Sequence, residues 1–474
     1  MINRSLFDTL VPGAPPYRRT DTDRPVSANL ELRRDSGRRL KQRDLIPGLQ
    51  VPRLVSSYEG AIDQILLSVP QWAVEEPAMA DGYRSVIAAL RPGTRFVVVH
   101  SEGTTEPILG WFAETGHSAD RVELVSLPSY VNFTVWAEDG YVALVDRADE
   151  STYLMEPWEF PRAGDALIAD AVSDSLPIRT QQAPLIFQGG NCLIGDTFWL
   201  LGRDYFADTL TVLTGQRPPV SQPDSMSLPD FATQLYSDYL DRERRLILVG
   251  TTREIPLRGV RGLKQGDQYF LDIATDGVGT YQPIFHIDMF ITLLGTDADG
   301  TFEVMVGDPS LADDILGTQS PWALTGVYDA IAHDLAEEGF TVHRNPLVHW
   351  PTPTQTLNLA ELTRIAGMPN NEELVSALRE LRQAGAADDT LVTVRTWHHI
   401  TWNNCLVENS PATGRQIYMP TFGYADKVSL TAIDDRMEEI WGERGFEVHR
   451  LADFNAFAER QGVVHCIKKY LKRT

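Results

Sequence analysis

Cysteine is scarce: 474 residues contain three, Cys192, Cys405 and Cys466. Three thiols cannot build a disulfide framework, so a reducing compartment is expected and any essential thiol is a free one. Basic charge is also short, with 42 Lys+Arg against 65 Asp+Glu and a formal net charge of −23. A general nucleic-acid binder holds phosphates with counterion-releasing basic patches, and this balance argues against one. A cationic substrate, or solubility alone, fits it better. No run approaches the ~20 apolar residues that span a bilayer, and Met1-Ile2-Asn3-Arg4-Ser5 lacks an apolar leader core. A cytoplasmic protein with no membrane partner is expected. A phosphate loop is missing too: no Lys-Ser/Thr follows Gly189-Gly190, and no G-x-G-x-x-G opens a helix.

What is present is the composition of a folded α/β protein, 43% hydrophobic and 23% charged. Residues 1–49 stand apart, with Pro12, Pro15, Pro16, Pro25 and an arginine-rich stretch from Arg33 to Arg43. We expect a basic arm anchored on the acidic body by Leu30, Leu32 and Leu40. Residues 50–474 alternate without an obvious linker, which favours one α/β body. Strand-like runs are Arg95 to His100, Leu185 to Gln188, Leu246 to Val249, Phe302 to Val306, Leu391 to Val394 and Gln416 to Met419. Helical periodicity marks Ala61 to Val69, Gly326 to Glu338, Asn371 to Gly385 and Ala432 to Gly442. Two phrases nearly coincide, Gly339-Phe340-Thr341-Val342 and Gly445-Phe446-Glu447-Val448, and hint at an internal repeat. Arg217 to Pro229 and Pro351 to Thr356 read as surface loops.

Several segments carry residue types suited to chemistry. Gln461-Gly462-Val463-Val464-His465-Cys466 places a thiol after a Gly-containing turn, a position suited to a nucleophile. A cysteine taken alone is more often a buried structural residue. Phe285-His286-Ile287-Asp288 reads as a strand with His286 and Asp288 on one face, where burying an imidazole beside a carboxylate needs a partner or a function. It is an incomplete metal pair, so no metal is expected. Trp136-Ala137-Glu138-Asp139 combines an aromatic plane with two acids, a set that selects a planar cation by stacking and bidentate hydrogen bonds; a solvated strand end is the blander reading. Gly189-Gly190-Asn191 is a turn that lets backbone pass closely beneath a site. Trp402-Asn403-Asn404-Cys405 and Pro420-Thr421-Phe422-Gly423 read as scaffold.

In this order the segments resemble the guanidine-modifying enzymes of the pentein fold, which include protein-arginine deiminases, agmatine deiminases, arginine deiminases and amidinotransferases. The shared pattern is Trp-x-x-Asp, Gly-Gly-Asn, His-x-Asp, an Asn-containing strand leading to Pro-x-aromatic-Gly, and Gly-x-x-His-Cys near the C-terminus. The match covers roughly residues 50–474. The resemblance implies a five-bladed pseudo-symmetric α/β propeller without a cofactor. It implies Cys466 as nucleophile, His286 as general acid/base, and Asp139 and Asp288 as the carboxylates that clamp a guanidinium. Trp136 matches an aromatic that contacts substrate, and Glu138, Gly190 and Asn191 are expected to line the same site.

The sequence also departs from the pattern. Gly140, Tyr141 and Val142 replace the acids of the calcium-dependent deiminases, so no calcium requirement is expected. Glu138 stands where agmatine deiminases have an arginine, and Gln188 where a Glu often precedes the Gly-Gly turn. The implied activity is hydrolysis of an arginine-type guanidinium to citrulline and ammonia, with a peptide or protein as carrier. Deimination of free arginine, agmatine or another small guanidine, amidino transfer, and non-catalytic binding on the same fold are the alternatives. Two carboxylates beside Cys466 disfavour its thiolate until a cation enters, so a cationic amidine reagent is expected to alkylate it faster than a neutral reagent of equal reactivity.

Overall fold

The structure is a computed structural model that describes residue 10 and residues 49–253, 255, 259–274, 281–318, 324–367 and 372–474. Apart from residues 10 and 49, the expected arm, with its anchors Leu30, Leu32 and Leu40, lies outside the described residues. Among the described residues the architecture is mixed α/β with five sheets.

Each sheet contains the same unit. A first strand pairs antiparallel with a second, and the second pairs parallel with a third that returns after at least one helix. In chain order the units are Val142–Asp146, Ser151–Glu156 and Ile178–Gln182; then Cys192–Ile194, Phe198–Gly202 and Arg245–Val249. Next come Ile291–Thr296, Phe302–Asp308 and Thr341–Asn358; then Leu406–Ser410, Gly414–Thr421 and Glu447–Asp453. The last unit takes its first strand from the C-terminus, Lys468–Arg473, against Ile62–Val69 and Arg95–Ser101. A parallel return needs a crossover, and helices such as Thr325–Glu337, Thr431–Gly442 and Pro77–Ala89 supply it. The two similar phrases fall at equivalent places. Gly339 and Gly445 both turn the chain at positive φ after the crossover helix, and the third strand begins two residues later.

The expected strands around Arg95, Leu246, Phe302, Leu391 and Gln416 form, and so do the helices over Thr325–Glu337, Glu372–Gln383 and Thr431–Gly442. Three readings need correction. Ala61 to Val69 is not helical: Ile62–Val69 is an inner strand between Lys468–Arg473 and Arg95–Ser101. Ile62, Ile65, Leu66, Leu67 and Val69 are all buried, and a strand covered on both faces has no period-2 pattern to separate it from a helix. Leu185 to Gln188, of which Leu185 and Phe187 are buried, joins no ladder; Thr209 Oγ1 accepts from Ile186 N at 2.9 Å, and Tyr236 OH donates to Ile186 O at 2.7 Å. Pro351 to Thr356 is not a loop but part of the strand Thr341–Asn358. That strand leaves Phe302–Asp308 at Pro346 and then pairs with Leu391–Thr401 alone, so Pro351 and Pro353 sit where one side has no ladder, with a register shift at Pro353/Gln355. The loop expected over Arg217 to Pro229 lies between the helices Arg203–Leu213 and Leu228–Tyr239, and its last two residues open the second helix. Among the described residues no helix is long and apolar enough to cross a membrane.

Candidate active site

Five of the sequence segments singled out above occupy one structural position. Each lies immediately before the first strand of a unit: Trp136–Asp139 before Val142, Gly189–Asn191 before Cys192, His286–Asp288 before Ile291, Trp402–Asn404 before Leu406, and Gln461–Cys466 before Lys468. The turns touch in a closed ring. Glu138 N donates to Cys466 O at 3.1 Å, Cys466 N to Asn404 Oδ1 at 3.3 Å, Asn404 Nδ2 to Asp288 O at 3.4 Å, and Ile287 N to Asn191 Oδ1 at 3.1 Å. Gly189 closes the ring, because a Cβ there would stand 2.1 Å from Glu138 O.

Within this ring Cys466 is fully buried, its Sγ 3.9 Å from Asp288 Oδ2. His286 Nδ1 lies 3.8 Å from Asp139 Oδ1, and its Nε2 is 2.9 Å from Gln188 Oε1 and 3.1 Å from Tyr205 OH. Since Gln188 Oε1 only accepts, Nε2 carries the hydrogen in that contact. His286 and Asp288 do not share the face of a strand. Ile287–Met289 is a 3₁₀ turn with His286 as its N-cap, so the two side chains converge through a turn. Gly190 explains how close they come: a Cβ there would lie 2.4 Å from His286 Nδ1 and 3.1 Å from Asp288 Oδ2. We expect Gly190→Ala to displace one of them and lower turnover about 100-fold, with little change in melting temperature. Parallel steady-state and thermal-denaturation measurements check this; undiminished activity would show that the site tolerates a methyl there.

The remaining residues support the ring. Asn191 exchanges hydrogen bonds with Gln282, and Oδ1 also takes Ile287 N, so its amide ties the second turn to the third. Trp136 is 2% exposed and faces Gly462, where a Cβ would fall 2.3 Å from its ring. Glu138 is bonded through Oε2 to Lys468 at 2.7 Å and through Oε1 to Lys469 at 2.8 Å, all three buried. Burial pushes the Glu138 carboxyl up, but the two ammoniums outweigh it and hold it below the ordinary value. Burial also lowers Lys468, to about 8.

A carboxylate held low by folding adds stability above its unfolded value, which is lost as pH falls through the folded one. Urea midpoints should therefore fall on acidification below about 4.5, the ordinary value. Glu138→Gln should be weaker at pH 7 and show a shallower acid limb. Parallel pH profiles for the two proteins would exclude this role.

Sequence reasoning missed Arg162, His465 and the two lysines. Arg162 Nη2 donates to Asp139 Oδ2 at 2.6 Å and Nε to Asp165 Oδ2 at 2.5 Å, with Arg162 1% exposed. Asp165 in turn accepts from Thr134 N and Oγ1. The available signal was the i,i+3 spacing of Arg162 and Asp165, which is common on any surface helix. His465 Nδ1 stands 2.9 Å from Asp288 Oδ2. Asn404, read as scaffold, is the hub that joins the Cys466 backbone to that of Asp288. Among the described residues no cluster of His, Cys, Asp and Glu is arranged to hold a metal.

Two solved structures of similar shape are assigned as deiminases. One, assigned as an agmatine deiminase, aligns with a TM-score of 0.51 at 15% identity over 88% of this chain and 95% of that one. Another, assigned as a peptidyl-arginine deiminase, aligns with a TM-score of 0.50 at 13% identity over 89% and 98%. No family model matches the chain, and no curated protein matches it. At these identities the likeness is one of fold. The chain has the mixed α/β fold of the pentein-type structures, the one its motif order resembles.

Proposed function

We propose that residues 50–474 form a hydrolytic deiminase acting on a guanidinium at the end of an aliphatic chain, as in arginine. The observation that carries the reading is the convergence of Cys466, Asp288, His286 and Asp139 on one buried ring of turns, although they come from segments far apart in sequence. A delocalised guanidinium is a poor electrophile, so it must be held rigidly and its departing nitrogen given a proton. The repeated unit and the ring of turns support five blades about a central axis.

In the proposed reaction Asp139 and Asp288 orient the guanidinium plane over Cys466. The thiolate sulfur bonds to the central carbon, and collapse of the adduct breaks one C–N bond while His286 gives its proton to the leaving ammonia. A covalent thiouronium is left. Neutral His286 then takes a proton from water, the hydroxide adds to the carbon, and the adduct gives its hydroxyl proton to solvent as the C–S bond breaks, which returns the thiolate, releases the ureido product and leaves His286 protonated for the next turnover. Cys192 and Cys405 fit structural roles: burial pushes both thiols up, Cys405 to about 12.

The ending Gly462-Val463-Val464-His465-Cys466 favours a peptidyl or protein arginine over a small guanidine as substrate, with citrulline as product. Three buried, unlinked cysteines fit a cytoplasmic setting. The test is ammonia release over arginine, agmatine, acylated arginine esters and arginine peptides, with and without an added amine. Release from peptides without an amine supports the reading; release only with an amine indicates amidino transfer. No release from any of them, at protein concentrations that would detect one turnover, would sink it.

A further inference from the structure

We propose that His465 is a positioning residue for the clamp: its Nδ1–H holds Asp288 Oδ2 facing Cys466, and this sets the site's preference for cationic over neutral ligands. The inference rests on the deiminase reading and adds a residue to it.

Three observations carry it. The oxygen that His465 Nδ1 meets at 2.9 Å is the same one that lies 3.9 Å from Cys466 Sγ. Both ends of the link are fixed, because Asn404 takes His465 N at its backbone oxygen, takes Cys466 N at Oδ1, and gives Nδ2 to Asp288 O. Rotation of the Asp288 carboxylate therefore means breaking the bond to the residue beside the nucleophile.

The donor also differs in kind from those on the neighbouring acids. Asp139 is bonded to the guanidinium of Arg162, and Glu138 to two ammoniums. His465 is 5% exposed; burial, and then Lys468, hold its imidazole well below the ordinary value. Lys469 and Arg473 act the same way, Glu138 acts against them, and the Tyr470 ring packs edge-on with centroids 6.0 Å apart. A neutral imidazole orients a carboxylate without discharging it, whereas a cation in its place would compete with the substrate for the same charge.

The experiment compares His465→Asn, whose amide N–H takes the place of Nδ1–H, with His465→Ala. Cys466 alkylation by 2-chloroacetamidine and by 2-chloroacetamide is followed in each protein by mass spectrometry, beside KM for the best guanidine and the melting temperature. Alkylation is followed well below each variant's melting temperature, so that the ratio of the two rates reports the folded site. In His465→Ala we expect the amidine preference to fall and KM to rise, each about tenfold, and in His465→Asn both should stay within about threefold of wild type. A wild-type preference that persists in His465→Ala, or an asparagine variant that loses as much as the alanine one, overturns the inference alone. A wild-type protein with no amidine preference and no ammonia release overturns the deiminase reading and the inference together.

Discussion

Cys466→Ser should release ammonia from the best guanidine about 10⁴-fold more slowly than wild type, or not measurably, while keeping its melting temperature within a few degrees. A serine hydroxyl in this site is a far weaker nucleophile than a thiolate, and neither Cys192 nor Cys405 can substitute, because burial holds both protonated. The change is otherwise mild. The Cys466 backbone N–H still meets Asn404 Oδ1, and the hydroxyl fits a pocket bordered by Asp288 and Met289. Acid-quenched wild-type protein should carry the thiouronium adduct on Cys466 by mass spectrometry, and the serine variant should not. Full activity in the variant would end the mechanism.

Arg162→Leu should have the largest effect on stability. It leaves Asp139 and Asp165, both buried, without the guanidinium that bridges them, and removing one partner of a buried ion pair typically costs about 3–5 kcal/mol. Arg162→Lys keeps the charge but loses the two-pronged geometry, so a smaller loss of about 1–2 kcal/mol is expected. Urea unfolding at pH 7 separates the two. The leucine variant should also lose turnover, since Asp139 Oδ2 is no longer held and Oδ1 no longer faces His286. A leucine variant within about 1 kcal/mol of wild type would mean that the acids are neutralised in another way.

The sequence brought the members of the candidate site to notice and left its wiring hidden. Trp136, Gly190, His286, Asn404 and Cys466 belong to short phrases recognisable by their order along the chain, and those phrases prove to be turns at one repeated position, before five first strands. Arg162 and the lysines were invisible because a charged residue among 107 gives no sign of being buried. Glu138 was read toward substrate because adjacent acids look alike in sequence. Only the fold shows that its two oxygens meet Lys468 and Lys469, 330 and 331 positions away. The strand Ile62–Val69 was misread for a related reason: a segment covered on both faces hides its periodicity, and its partners lie at Arg95–Ser101 and at Lys468–Arg473.

That last pairing bears on how the polypeptide is made. Ile62–Val69 leaves the ribosome about four hundred residues before the neighbour on one of its edges. Until that neighbour is made, a run of buried-type side chains and unsatisfied backbone groups waits on an open edge, the condition under which nascent chains aggregate or recruit chaperones. Cys466, two residues before Lys468–Arg473, reaches its ring with the docking of that strand. On the proposed reading, a chain stalled before that docking has an incomplete ring and no working nucleophile.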